Sequence, residues 1–247
     1  MYLKVQGLVL RVVNYKDHDA LLTVLTQENG KITVKARGLR RKNSPLSAPC
    51  QLLAFSDFTL FEYRGMYTVN EANSIELFCG LRRDLNKLSL ATYFAQVADV
   101  VSQEDAFDSG ILSLVLNSLY ALDKLQYNER FVKGVFEFRC ACISGYMPDL
   151  SGCYRCSDPL PNFFNVSQGR LECAKCKSTE SDGLRLPINT GVLDAFRYIS
   201  NCSDKRIFAF QIGEDSISLL STLAEAYLST QLEQGFSTLD FYKALQM

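Results

Sequence analysis

The hydrophobic period changes once along this chain, near residue 80, and no other feature limits the fold as strongly. Before that point apolar and polar residues alternate, as in strands; after it apolar residues recur at helical spacing. "LKVQGLVLRVV" reads as a long strand with Gly7 at a bulge or bend. "ALLTVLT" follows, and Asn29-Gly30 marks a tight hairpin because both residues tolerate positive φ. "KITVKAR" is the returning strand. Beyond a polar stretch with Pro45 and Pro49 come "QLLAFSDFTLFEY" and, after Arg64-Gly65, "MYTVNEAN". Five strands in fewer than eighty residues, with no helix between them, predict a small closed barrel of the OB type.

The second part is helical. "LRRDLNKLSLATYFAQVADVVSQ" places Leu81, Leu85, Leu88 and Thr92 on one stripe. Asp108 or Ser109 is placed to cap "GILSLVLNSLYALDKL", Asn128 to open "RFVKGVFEFRCACISGY", and Pro148 to stop it. Thr190 is placed to cap "GVLDAFRYISN", and Gly235 ends the long helix "SISLLSTLAEAYLSTQLEQG". The expected chain is an α+β multidomain protein. An OB barrel spans residues 1–78, and a helical bundle spans 79–150 and 184–247. A four-cysteine module at 151–183 interrupts the bundle.

That module carries the most specific local signal. Cys153, Cys156, Cys173 and Cys176 form C-x2-C-x16-C-x2-C, the spacing of two knuckles that bring four thiolates around one Zn²⁺. The intervening "NFFNVSQGRLEC" reads as a hairpin turning at Gln168-Gly169, as in a zinc ribbon. Four thiolates leave no open coordination position, so the expected zinc is structural; disulfides are the alternative. Arg155 and Lys175 in the knuckles either touch phosphate or are simply exposed. Cys50, Cys79, Cys140, Cys142 and Cys202 lack ligand spacing and read as small core residues.

The net charge of −1 conceals an uneven distribution. Residues 31–44, "KITVKARGLRRKNS", hold six cations and no acid. Strand alternation turns Ile32, Val34 and Ala36 inward and Lys31, Thr33, Lys35 and Arg37 outward, and a flexible loop beyond Gly38 adds Arg40, Arg41 and Lys42. Such a cluster raises a local potential suited to phosphates. The competing explanation is an edge strand protected by lysines. Phe55, Phe61, Tyr63 and Tyr67 stack bases if they face outward, although core filling is the commoner fate of such rings.

The one histidine, His18, lies between Asp17 and Asp19 and reads as a surface residue. The chain has no phosphate-binding P-loop, no GxGxxG after a strand and no GxSxG elbow, so the usual enzyme signatures are missing. A thiolate enzyme built on Cys50, beside the basic loop, is one alternative class, and a purely protein-binding scaffold is another. Neither a secretory signal nor a membrane-spanning apolar stretch is visible, which suggests a cytosolic chain with reduced thiols. On the third helix, Phe131, Val135, Phe138 and Cys142 share a stripe, with Arg130, Lys133 and Glu137 on the polar side. Arg139 falls away from the other charges. It is either paired with a buried carboxylate or set at the rim of an apolar groove that takes an acidic, apolar peptide.

In this order, "GLVLRVVNYKDHDALLTVLTQENGKITVKARGLRRKNS", "LRRDL" and "FEFRCACISGYMPDLSGCYRC…CAKC" resemble the RecO family of bacterial DNA repair and recombination mediators. The resemblance covers essentially the whole chain and implies the same OB barrel, helical bundle and zinc module. It implies a non-enzymatic mediator that binds single- and double-stranded DNA and anneals complementary strands. With RecR, such a mediator helps load RecA onto DNA coated by single-strand-binding protein, whose acidic C-terminal tail it recognises. Carried onto this sequence, the DNA surface centres on Lys31, Lys35, Arg37, Arg40, Arg41 and Lys42, and the tail site on Arg139 with Arg130 or Lys133. One structural Zn²⁺ and a cytoplasmic, nucleoid-associated location complete the expectation. A zinc-ribbon and OB transcription or translation factor is the alternative that shares these parts.

Overall fold

The computed structural model describes residues 1–104, 106–107, 110–176 and 183–246. Five strands come first: β1 (Tyr2–Tyr15), β2 (Asp19–Thr26), β3 (Gly30–Ala36), β4 (Phe55–Tyr63) and β5 (Met66–Glu76). They close into a barrel in the order β1-β2-β3-β5-β4, as expected for an OB-type domain. Every contact is antiparallel except the closing one, where β3 runs parallel to β5 through Val34↔Tyr67 and Lys35↔Thr68. The interior is filled by Val9, Leu22, Val24, Ile32, Val34, Phe58 and Leu60, all 3% exposed or less. The inward set of β3 is therefore the one its alternation predicts.

Two local devices differ from the sequence expectation. The register of β1 slips between Val9 and Arg11, not at Gly7. Gly7 is instead a point of close approach, since a Cβ there would lie 2.4 Å from Val24 Cγ1. In the β2–β3 hairpin only Gly30 takes positive φ, at 58°. Its partner is Thr26, whose hydroxyl donates to the Gly30 carbonyl at 3.0 Å and accepts from Asn29 N–H at 3.1 Å. Glycine in the left-handed region after a three-residue loop gives the same reversal as a two-residue turn.

Six α-helices follow among the described residues: α1 (Leu85–Val101), α2 (Ile111–Asp123), α3 (Glu129–Ile143), α4 (Thr190–Asn201), α5 (Glu214–Leu232) and α6 (Ser237–Ala244). A 3₁₀ turn at Leu81–Arg83 precedes α1, and the Asp84 carboxylate caps it by accepting from Asn86 and Lys87 N–H. That turn breaks the expected stripe: Leu81 is buried, but Leu85 is 57% exposed. Ser89, Leu90, Ala91, Tyr93, Phe94, Ala95, Val97 and Ala98 form the buried set instead, and at 100° per residue they cover about two-thirds of the helix circumference. A helix enclosed on most sides has little amphipathic period to read.

Asn128 caps α3 as expected, accepting from Arg130 and Phe131 N–H. Pro148 does not stop it; α3 ends at Ile143, followed by Gly145 at φ 97°. The α4 cap is Asn189, whose side chain accepts from Val192 N–H, rather than Thr190. α5 ends at Leu232 with Glu233 at φ 51°, two residues before Gly235. Asp108 and Ser109, the expected α2 caps, lie outside the described residues; Gly110, at φ 114°, directly precedes α2.

By internal contacts the chain falls into two units. The first holds residues 1–124 and the segment from Phe236 onward, so α1, α2 and α6 group with the barrel. Within it the Lys31 N–H donates to the Gln103 carbonyl at 2.9 Å and Arg82 Nη2 to the Leu52 carbonyl at 2.7 Å. Phe236 meets Tyr93 edge-on. The second unit, Leu125–Gly235, holds α3, α4, α5 and a four-stranded sheet. Its strands β6 (Asp149–Cys153), β7 (Phe163–Asn165), β8 (Arg170–Glu172) and β9 (Arg185–Pro187) lie in the order β6-β8-β7-β9. Its core centres on Phe138 and Phe196, stacked at 3.7 Å, with Phe164 edge-on to Phe196.

The Gly7 contact is testable. Gly7→Ala should lower the urea midpoint at unchanged slope by the equivalent of about 1–3 kcal/mol, the usual cost of overpacking a filled interior.

Candidate nucleic-acid surface and metal centre

The six cations of residues 31–44 separate into two groups. Lys31 Nζ lies 3.2 Å from Asp99 Oδ1 and donates to the Asp99 carbonyl, and Lys35 Nζ lies 3.1 Å from Asp19 Oδ2. Both side chains are less than one-fifth exposed. The Gly38 N–H and the Lys35 ammonium hold the Asp19 carboxyl below its ordinary value, so the pair stays charged at neutral pH. These two lysines therefore fasten the barrel to its own neighbouring segments, and their outward charge is largely cancelled.

Arg37, Arg40, Arg41 and Lys42 are exposed, and none has a carboxylate partner among the described residues. The loop that carries them is a run of turns. Arg41 N–H donates to the Gly38 carbonyl at 3.1 Å and Ser44 N–H to the Arg41 carbonyl at 3.2 Å. Leu39 and Leu46 pack against the barrel core, and Gly38 takes φ 65° to start the turn. Arg40 N–H donates to the His18 carbonyl at 3.0 Å, and its guanidinium reaches the Asp17 carbonyl at 3.4 Å. Four exposed cations on a backbone held in place present a charged ridge that need not be ordered at the moment of binding.

The rings fall differently from the expected packing. Phe58, not among the candidates, fills the interior, while Phe61 and Tyr63 are exposed and Phe55 and Tyr67 half-buried. His18 is exposed, as expected.

In the second unit, β6 delivers Cys153, the turn after it Cys156, and the end of β8 Cys173 and Cys176. The four Sγ atoms lie within 4.8 Å of one another, with Cys156 Sγ 3.6 Å from Cys173 Sγ. A tetrahedron of thiolates at about 2.3 Å from a zinc ion has edges of about 3.8 Å, so the donor set fits such an ion. β7 and β8 form the expected hairpin, with Gly169 at φ 61°. Burial raises the Cys153 thiol, but the backbone N–H groups of Cys156, Arg155 and Cys173 outweigh it and bring it down to about 6. Protons shared with Cys156 and Cys173 push Cys176 up to about 12. Without a cation these sulfurs cannot all be thiolates; a divalent ion removes that conflict. Arg155 donates to the Tyr154 hydroxyl, and Arg170 lies 3.6 Å from the Tyr154 ring centre, so the first knuckle is braced by stacking; Lys175 is exposed.

Of the remaining cysteines, Cys50, Cys140 and Cys142 are buried as expected, whereas Cys79 is exposed and Cys202 half-buried. Burial pushes the Cys50 thiol up to about 12, which leaves no thiolate there to attack a substrate.

On α3 the three candidate cations have different surroundings. Arg130 is exposed. Lys133 and Glu137, expected on a polar face, are 3% and 0% exposed. Lys133 Nζ lies 3.0 Å from Glu137 Oε1 and 2.7 Å from Glu225 Oε2 on α5. Burial lowers the Lys133 ammonium, but the two carboxylates prevail and hold it above its ordinary value. Arg139 donates to the Ile199 and Ser200 carbonyls at 3.0 Å each and meets Asp204 Oδ1 at 3.2 Å. It closes the C-terminal end of α4 through two carbonyls and a carboxylate that is 44% exposed, not the buried carboxylate of the first reading.

A groove of about 550 Å³ opens in the same unit, lined by Tyr127, Phe131, Phe208, Phe210, Ile212 and Ile217. Its signal in the sequence was the alternation "RIFAFQI", too short to be told from a strand.

A closed five-stranded barrel, a helical region and a four-cysteine cluster in this order define a class, and comparison with known proteins agrees. Residues 1–78 match the family model described as Recombination protein O N terminal, and residues 82–240 the one described as Recombination protein O C terminal. The chain belongs to the RecO family. It is 35% identical over 246 residues to the DNA repair protein RecO of Acetivibrio thermocellus, covering 99% of this chain and 97% of that protein. It is 29% identical over 247 residues to that of Caldicellulosiruptor saccharolyticus, covering 99% of each. Against that of Alkaliphilus metalliredigens it is 28% identical over 248 residues. No helix is long and apolar enough to cross a membrane among the described residues.

The buried triad gives a second test. Lys133→Met should cost about 3–5 kcal/mol in urea unfolding, because it leaves Glu137 enclosed without its counter-charge. Replacing Lys133, Glu137 and Glu225 together by apolar residues of similar volume should recover most of that loss.

Proposed function

We propose that this chain is a DNA-binding mediator of recombinational repair that binds single and double strands and promotes annealing of complementary ones. The observation that carries this reading is the ridge of Arg37, Arg40, Arg41 and Lys42, exposed and without described carboxylate partners on a closed barrel. Annealing requires no bond making. Two phosphate chains repel each other, and a shared cationic surface reduces that repulsion while leaving the bases accessible. Family membership supports the finer steps: action with RecR, and assistance to RecA on DNA coated by single-strand-binding protein, in the cytoplasm at the nucleoid. The α3 groove, with exposed Arg130 one residue before Phe131, suits the apolar and acidic tail of that coating protein better than Lys133 or Arg139, both held in ion pairs.

The four cysteines bind one structural Zn²⁺ in this reading. Metal analysis of protein purified without added metal should give about one zinc per chain. Cys153→Ser should abolish the zinc and lower the melting temperature; no metal in a folded protein would refute the site.

Converting Arg40, Arg41 and Lys42 together to alanine should reduce the slope of log affinity against log salt by roughly two to three. The ridge is not the DNA surface if that slope stays as in the parent protein.

A further inference from the structure

The four sulfurs of the metal centre are not equally enclosed. Cys153 and Cys173 are 1% and 2% exposed, whereas Cys156 is open to solvent and Cys176 is half-buried. Their hydrogen bonds follow the same division. The Cys153 sulfur accepts from the N–H groups of Cys156, Arg155 and Cys173, and the Cys156 sulfur from that of Asp158. Each outer cysteine also follows an exposed cation in the chain, Arg155 before Cys156 and Lys175 before Cys176. An accessible thiolate in electropositive surroundings is the one that oxidants reach first.

A second sulfur lies within reach of that outer one. Cys156 Sγ is 3.6 Å from Cys173 Sγ, and a disulfide bond is about 2.05 Å long, so closure asks for a movement of about 1.5 Å. The knuckle carrying Cys156 is joined to β8 at two paired positions, Asp149↔Arg170 and Cys153↔Leu171, and through the Tyr154 N–H on the Leu171 carbonyl. The knuckle carrying Cys173 continues from an unbroken β7–β8 ladder, which Phe164 anchors against Phe196 and Tyr227. More of the fold holds the second knuckle than the first, so the movement falls on the first.

We infer that Cys156 and Cys173 form a peroxide-sensitive pair whose oxidation releases the bound ion, which rests on the zinc reading proposed above. The Cys156 thiolate attacks one oxygen of hydrogen peroxide, the O–O bond breaks, and hydroxide departs to leave a sulfenic acid. The Cys173 thiolate then attacks that sulfur and displaces a second hydroxide. The two thiolates give two electrons to the peroxide, and two protons from solvent turn both hydroxides into water. Cys153 and Cys176 remain, too few for a closed four-ligand site. Holding the fold together needs no accessible sulfur; reaction with a dissolved oxidant does.

The experiment treats the zinc-loaded full-length chain with hydrogen peroxide, follows released zinc with a chelating dye, and then maps the thiols after trypsin. Cleavage after Arg155, Arg170 and Lys175 puts Cys153, Cys156, Cys173 and Cys176 on separate peptides. Release should reach about one zinc per chain, with the Cys156 peptide joined to the Cys173 peptide. A thiol reductant with added zinc should restore the metal. Cys79→Ser/Cys202→Ser removes the accessible thiols outside the centre and should release zinc as the parent does. If that variant keeps its zinc, the oxidant acts elsewhere and the inference fails. Zinc held by the parent throughout the treatment, or a disulfide joining any other pair, also overturns it. A chain that carries no zinc before peroxide is added removes the metal centre itself, whereas a loaded chain unmoved by peroxide removes only the redox pair.

Discussion

The barrel closes through one short parallel contact, and the rest of the first unit depends on it. β1, β2 and β4 are joined by long antiparallel ladders, but β3 meets β5 only at Val34↔Tyr67 and Lys35↔Thr68. That contact closes the interior that Ile32, Val34 and Ala36 share with Val9, Phe58 and Leu60. Closure also removes both sheet edges, so lysines on β3 are not needed to prevent edge-to-edge association. They tie β3 to its other neighbours instead: Lys35 to Asp19 of β2, and Lys31 to Asp99 of α1.

Charge is thereby divided by position. Near the seam, ammonium and carboxylate groups sit about 3 Å apart and largely shielded from water, where Coulomb attraction is several times stronger than in solvent. Past Gly38 the cations face water without a carboxylate ion-pair partner among the described residues, and their potential extends outward over about a Debye length. The second unit solves a similar problem with Lys133, Glu137 and Glu225, and there the charges are enclosed between α3 and α5. The same residue types thus hold the fold at some positions and face a ligand at others.

What could be read from the amino acids follows from the range of the forces involved. Alternation in "KITVKAR", the Asn128 cap and the cysteine spacing are local, and each was placed correctly. The pairings that withdrew Lys31 and Lys133 join residues 68 and 92 positions apart, and no local pattern records them. The α1 stripe failed for a different reason: a turn at Leu81–Arg83 shifts the phase, and the helix is buried on most of its surface. Gly7 looked like a bend because glycine often marks one, yet its missing side chain makes room for Val24. The ring row on β4 was half legible. Phe61 and Tyr63 stood out as candidates, but which parity faces the interior was settled only by Phe58 and Leu60 filling it.

The segment from Phe236 onward belongs with the barrel unit, although 111 residues of the other unit, Leu125 to Gly235, separate it from Lys124. Phe236 covers Tyr93, and the Thr238 hydroxyl reaches Gln96 on the same helix. A nascent chain emerging from the ribosome therefore cannot seal the hydrophobic side of α1 when residue 124 appears. That side of the helix stays uncovered while the intervening 111 residues are synthesised. The late joining of distant segments also couples the halves during biogenesis: a defect in the middle of the polypeptide delays completion of the part made first.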